Sequence, residues 1–213
     1  MTHVSRRTFH ALVGACVCGL VRPRIAEAVV GDALPKLPIG FAVATDAGQP
    51  VQDAAWIQEH LDAMESLYGP LGIHPEQAFV RPLEARFAHM ESRADRDALM
   101  AERRPGVVNV FVVGSLRDVD DPSVMRRGVH WRNRATPSAR YVILSAIAKP
   151  FVLAHEMGHY FGLGHSATPD NLMSYERAGG TVFLDTLQAR VIEAAARQVF
   201  LSGEVRPRGT SRE

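Results

Sequence analysis

The chain has 213 residues, 46% of them hydrophobic and 22% charged, with a formal net charge of +1. This is ordinary globular composition, long enough for one domain with its own core. No Lys/Arg run interleaves with aromatics, which excludes a nucleic-acid surface, and the charge balance implies no strongly charged partner.

The N-terminal segment, 1–28, reads as an export signal. Paired Arg6-Arg7 precede an apolar run from Phe9 to Val21, and the small-x-small site Ala26-Glu27-Ala28 follows. That is the layout of a cleaved leader, and SRRTF resembles the twin-arginine kind. The apolar run is interrupted by His10 and is shorter than the ~20 residues a bilayer span needs, so stable membrane insertion is not expected. Val13-Gly14-Ala15 before Cys16 is a weak lipobox, which keeps lipoprotein anchoring as a minor alternative. Cleavage would remove four arginines and one glutamate, taking the formal charge from +1 to −2. It would also remove both cysteines, Cys16 and Cys18. The mature domain, 29–203, would then have neither thiol nor disulfide in an oxidising periplasmic or extracellular compartment.

Within that domain, 29–38 reads as an extended lead-in and Ile39–Ala44 as a first strand. Apolar residues at helical spacing (Trp56, Ile57, Leu61, Met64, Leu67) predict a helix from Asp53 to Tyr68, ended by Gly69-Pro70. A short strand is predicted near Ala78–Leu83, with Pro82 placing it at an edge or an end. Ser92–Arg103 reads as an exposed, charged helix. Val107–Val113 is the clearest strand, bounded by Pro105-Gly106 and Gly114. Short strands at Gly128–Trp131 and Tyr141–Ser145 follow a loop carrying Asp118, Asp120 and Asp121. Pro150 opens a helix through Phe151–Phe161, a last helix covers Leu184–Phe200, and 204–213 is a polar tail predicted to fray. The fold class is α+β: a mixed twisted sheet with helices packed on it.

Chemistry concentrates in 152–175, VLAHEMGHYFGLGHSATPDNLMSY. His155 and His159 stand four apart, so on a helix their rings share one face and can reach one ion. Glu156 is adjacent, and one carboxylate beside two imidazoles fits a metal-activated water with its proton acceptor. Another helical turn would carry the chain away. Gly162 can take the left-handed conformation that ends a helix, letting His165 return as third ligand. Three protein ligands leave a fourth position open, which is the pattern of a catalytic zinc site; without a cysteine, a closed thiolate site is excluded.

HEMGHYFGLGH, 155–165, resembles the H-E-x-x-H-x-x-G-x-x-H signature of the metzincin zinc peptidases. Asn171-Leu-Met-Ser-Tyr175 resembles their methionine turn, and the order of elements is similar. The resemblance implies a metzincin-like catalytic domain with His155, His159 and His165 on Zn(2+) and Glu156 as general base, then general acid. It implies Met173 as an unreactive floor beneath the ligands. Tyr175, two residues after that methionine, would bind zinc or stabilise an oxyanion, or else its hydroxyl merely anchors the turn. Ser166 looks matrixin-like, whereas Met-Ser-Tyr looks serralysin-like or pappalysin-like, and only seven residues separate His165 from Met173, so the member is compact.

The expected function is that of an exported zinc-dependent endopeptidase, acting as a monomer on peptide or protein substrates. A non-catalytic zinc-binding module is one alternative, and an amidase acting on cell-wall or other non-protein amides is the other. In such enzymes an edge strand positions extended substrate, and Gly128-Val-His-Trp131 would be that strand, pairing by strand addition. The Asp118/Asp120/Asp121 cluster reads as a solvated turn before a calcium site.

Overall fold

The computed structural model describes residues 33–136 and 138–207. The export-signal reading, with Arg6, Arg7 and Cys16, falls outside them, as do residues 208–213.

β1 (Leu37–Asp46) is the axis of the sheet, with its first eight residues buried. Leu37, Ile39, Phe41 and Val43 point into one apolar cluster, Ala42 and Ala44 into another. A strand covered on both faces must be apolar at every position, which is why LPIGFAVA shows no polar alternation. Ala47 and Gly48, both at positive φ, turn the chain into the two-residue β2 (Gln49–Pro50), antiparallel to β1. Asp53 then caps α1 (Ala54–Tyr68) by accepting from the Trp56 N–H at 2.9 Å.

β3 (Pro75–Leu83) pairs parallel with β1, and Pro82 sits in this edge strand. β5 (Val108–Val113) flanks β1 on the other side, also parallel. β8 (Arg140–Ser145) continues the parallel set, and β7 (Gly128–Arg132) closes the sheet antiparallel to β8. Two further strands, β4 (His89–Met90) and β6 (Ser115–Leu116), make a small parallel pair apart from the sheet. The architecture is α+β, a mainly parallel sheet with the antiparallel strands β2 and β7 at its two ends.

α1, α3 (Phe151–Tyr160) and α4 (Thr186–Leu201) pack on one face. The buried Tyr68 donates its hydroxyl to the Ala154 carbonyl at 2.7 Å, fixing α1 against α3. On the other face lies α2 (Arg93–Ala98), continued by a 3-10 turn, Leu99–Glu102. The helix expected over 92–103 is present, but its expected exposure is corrected. Leu99 is fully buried, and buried Arg96 stacks 4.8 Å above the Trp131 ring while donating to the Arg117 carbonyl. Its long side chain makes a charged residue part of the packing.

The segment expected to fray from 204 onward is also ordered through Pro207. Arg140 on β8 donates from Nε and Nη2 to the two Glu204 oxygens at 2.8 Å each, and from Nη1 to the Tyr160 carbonyl at 2.6 Å. The Tyr160 hydroxyl donates to the same Glu204. Val205 is buried and bridges to Gly106. Polarity made this stretch look like tail, but its charge is spent on a half-buried partner. Truncation after Gly203 is expected to cost about 2–4 kcal/mol in a denaturant melt, because it strands the Arg140 guanidinium; a neutral truncation would show the clasp to be incidental.

Candidate metal centre

α3 follows Pro150 at its N-cap and carries His155 and His159 on one face, their ring centroids 4.8 Å apart. It ends in a Schellman motif: the Gly162 N–H donates to the His159 carbonyl (3.0 Å) and the Leu163 N–H to the Gly158 carbonyl (2.9 Å). Gly162 has φ +99, a left-handed conformation that suits glycine. The reversed chain brings His165 back, with its Nε2 3.1 Å from that of His159.

The tautomers follow from the carbonyls. His155 Nδ1 donates to Leu172 O at 2.8 Å, and His159 Nδ1 to Leu163 O at 2.9 Å. A carbonyl only accepts, so each Nδ1 carries the hydrogen and each Nε2 presents a lone pair. Two such nitrogens at 3.1 Å repel unless a proton or a cation lies between them. Nitrogens on one tetrahedral zinc, at about 2.0–2.1 Å each, would stand about 3.3 Å apart. One ligand atom from each of His155, His159 and His165 lies within 4.8 Å of the others, so the triad fits a zinc ion.

The methionine turn is the second wall. Asn171 accepts from the Met173 N–H and exchanges two amide bonds with Gln188 on α4. Met173 is fully buried, and its carbonyl accepts from the Ser166 N–H, tying the turn to the loop after His165. Gly158 makes room for it: a Cβ there would lie 2.4 Å from Met173 Sδ. Tyr175 projects beside the triad, 70% exposed, its ring centroid 4.6 Å from that of His165. No hydrogen bond joins its hydroxyl to another of the described residues.

Glu156 is buried, and burial pushes its carboxyl up to about 8, against the opposing pull of the His130 N–H and the Arg126 charge. β7 closes over it. A Cβ at Gly128 would lie 2.6 Å from Val152 Cγ1 and 3.0 Å from Glu156 Cγ. Gly128 and Gly158 are positions the sequence reading did not single out. The only signal was a glycine beside a candidate histidine and a glycine opening an edge strand.

The acidic loop is a turn bound up in its own bonds. Buried Asp118 accepts from the N–H groups of Asp120 and Asp121 and from Arg126, which holds its carboxyl at about 2. Asp120 pairs with Arg93, and Asp121 accepts from Ser123.

The sequence matches no protein-family model and no curated protein. Solved structures do resemble the fold. Mirolysin in complex with a compound aligns with a TM-score of 0.61 at 10% identity, covering 83% of this chain and all of that one. Mature mirolysin of Tannerella forsythia with a cleaved peptide gives 0.58 at 11%, over 83% of this chain and all of that one. Metalloproteinase-II of Bacteroides fragilis gives 0.54 at 12%, over 76% of this chain and 53% of that one. The chain therefore has a metzincin-type metallopeptidase fold. Among the described residues, no helix is long and apolar enough to cross a membrane.

If the triad holds an ion, protein dialysed against a mild chelator and reloaded should retain about one zinc per chain by elemental analysis. His159→Ala and His165→Ala should each lose it, while His74→Ala, an exposed histidine away from the triad, should not.

Proposed function

We propose that the chain is an exported zinc-dependent endopeptidase. The observation that carries this reading is three convergent imidazoles beside a buried carboxyl that opens onto a cavity of about 460 Å³. A structural zinc site would be closed; this one has a wall missing and a titratable group beside the gap.

In this reading His155, His159 and His165 hold the ion, and bound zinc supplies Lewis acidity that polarises the scissile carbonyl and acidifies a water. Glu156 takes a proton from the attacking water at a carboxylate oxygen and hands it to the leaving amine nitrogen. The burial that raises Glu156 favours the protonated form it needs for the second step, and a cation in the triad favours the charged form it needs for the first. Tyr175, exposed beside His165, donates its hydroxyl to the developing oxyanion in this reading, which its nearness to the His165 ring supports. Met173 supports His155 through the turn whose Leu172 carbonyl fixes that ring. Among the described residues β7 pairs with one strand, β8, and in this reading its other edge takes an extended substrate as an added strand. Export is proposed from the sequence of 1–28.

Glu156→Gln should keep about one zinc per chain and lose peptide cleavage by at least about 10²-fold. A zinc-loaded wild-type chain that cleaves nothing in a broad peptide library would favour a binding module. Gly128→Ala should retain zinc yet lower kcat about tenfold, because the added methyl displaces β7 or Glu156; unchanged kcat would show that the close approach is not needed.

A further inference from the structure

The cavity beside Glu156 and His155 has a one-sided charge. Its lining includes Arg126, Arg127, Lys149 and Arg177, and among the described residues its one carboxyl is that of Glu156. Arg126 is neutralised by Asp118. Arg177 spends its N–H groups on the carbonyls of Asn171, Ser174 and Glu176, which hold it in place without cancelling its charge. Arg127 and Lys149 are exposed and make no ion pair among the described residues. The walls between these cations are apolar, with Ile147 60% exposed and Phe151 37% exposed.

We propose that this pocket selects substrates with a glutamate or aspartate on the amine side of the scissile bond. The inference rests on the peptidase reading. Glu156 lines the pocket, and in that reading it protonates the leaving nitrogen, so the residue carrying that nitrogen has its side chain at the pocket mouth. A carboxylate entering there meets three cations without carboxylate partners, Arg127, Lys149 and Arg177. Its methylenes cover Ile147 and Phe151. A lysine or arginine side chain meets the same cations and is repelled, so the pocket both attracts one class and rejects its opposite. The volume, about 460 Å³, admits a glutamate or aspartate side chain with water around it.

The test uses four peptides identical except for Glu, Asp, Ala or Lys on the amine side of one cleavable bond. With the zinc-loaded full chain, kcat/KM for the Glu peptide should exceed that for the Lys peptide by about tenfold or more, from two or three partly exposed ion pairs. The gap should narrow as salt rises from about 50 to about 500 mM. Fluorescence anisotropy gives an activity-independent readout. A labelled peptide with a free N-terminal Glu should bind more tightly than its Lys counterpart, and Lys149→Glu, Arg127→Glu and the double variant should shift binding and cleavage stepwise toward Lys. Zinc content and thermal melting check that each variant is folded. Equal rates for Glu, Ala and Lys would overturn the inference while leaving the peptidase reading standing. No cleavage of any peptide, Ala included, would overturn both.

Discussion

The hydrogen bond from His159 Nδ1 to the Leu163 carbonyl exists only because the chain has already reversed. Leu163 lies beyond Gly162, and its carbonyl faces back toward α3 because the helix closes in a left-handed residue. The same reversal delivers His165. One bend therefore fixes the orientation of the second ligand and the position of the third. The first ligand is set separately, by Leu172 on the methionine turn. Two carbonyls on two loops thus choose the tautomers of His155 and His159, and the sheet's role is to hold those loops in register through α3 and α4.

Around this arrangement the electrostatics divide by depth. Glu156 is buried under Gly128 and Val152, where desolvation governs its proton. The cations lie outside it, at the surface, where they act on what approaches and less on one another. Asp118 pairs with Arg126, the guanidinium whose charge pulls on Glu156, and so weakens that pull. Without that pairing the Glu156 carboxyl would face a stronger positive field, and the balance between holding and releasing a proton would move toward the charged form.

The strands, α1 and the histidine helix were legible because their signals are local: apolar runs, capping Asp53, Pro150 and fixed histidine spacing. The bend at Gly162 was legible because glycine is the residue that such a turn favours. What escaped the sequence depends on distant partners. Arg96 is buried by Trp131, thirty-five residues away in the chain, and nothing in its neighbourhood announces that. Gly128 and Gly158 matter for what approaches them, Val152 and Met173, so composition gives no hint. Glu204 sat in a run of charges that reads as solvated. Similarly, the basic pocket draws Arg127, Lys149 and Arg177 from three separate loops, and no stretch of sequence is rich enough in charge to reveal it.

The clasp between Arg140, Tyr160 and Glu204 has a consequence for biosynthesis. Glu204 follows Tyr160 by 44 residues, so at about 5–20 residues per second a ribosome needs roughly 2–9 seconds to add the one after the other. Through that interval the end of the histidine helix has been made but its latch has not. Until Glu204 is made, the helix end is held only by its own closing bonds, from the Gly162 and Leu163 N–H groups to the His159 and Gly158 carbonyls, together with its packing.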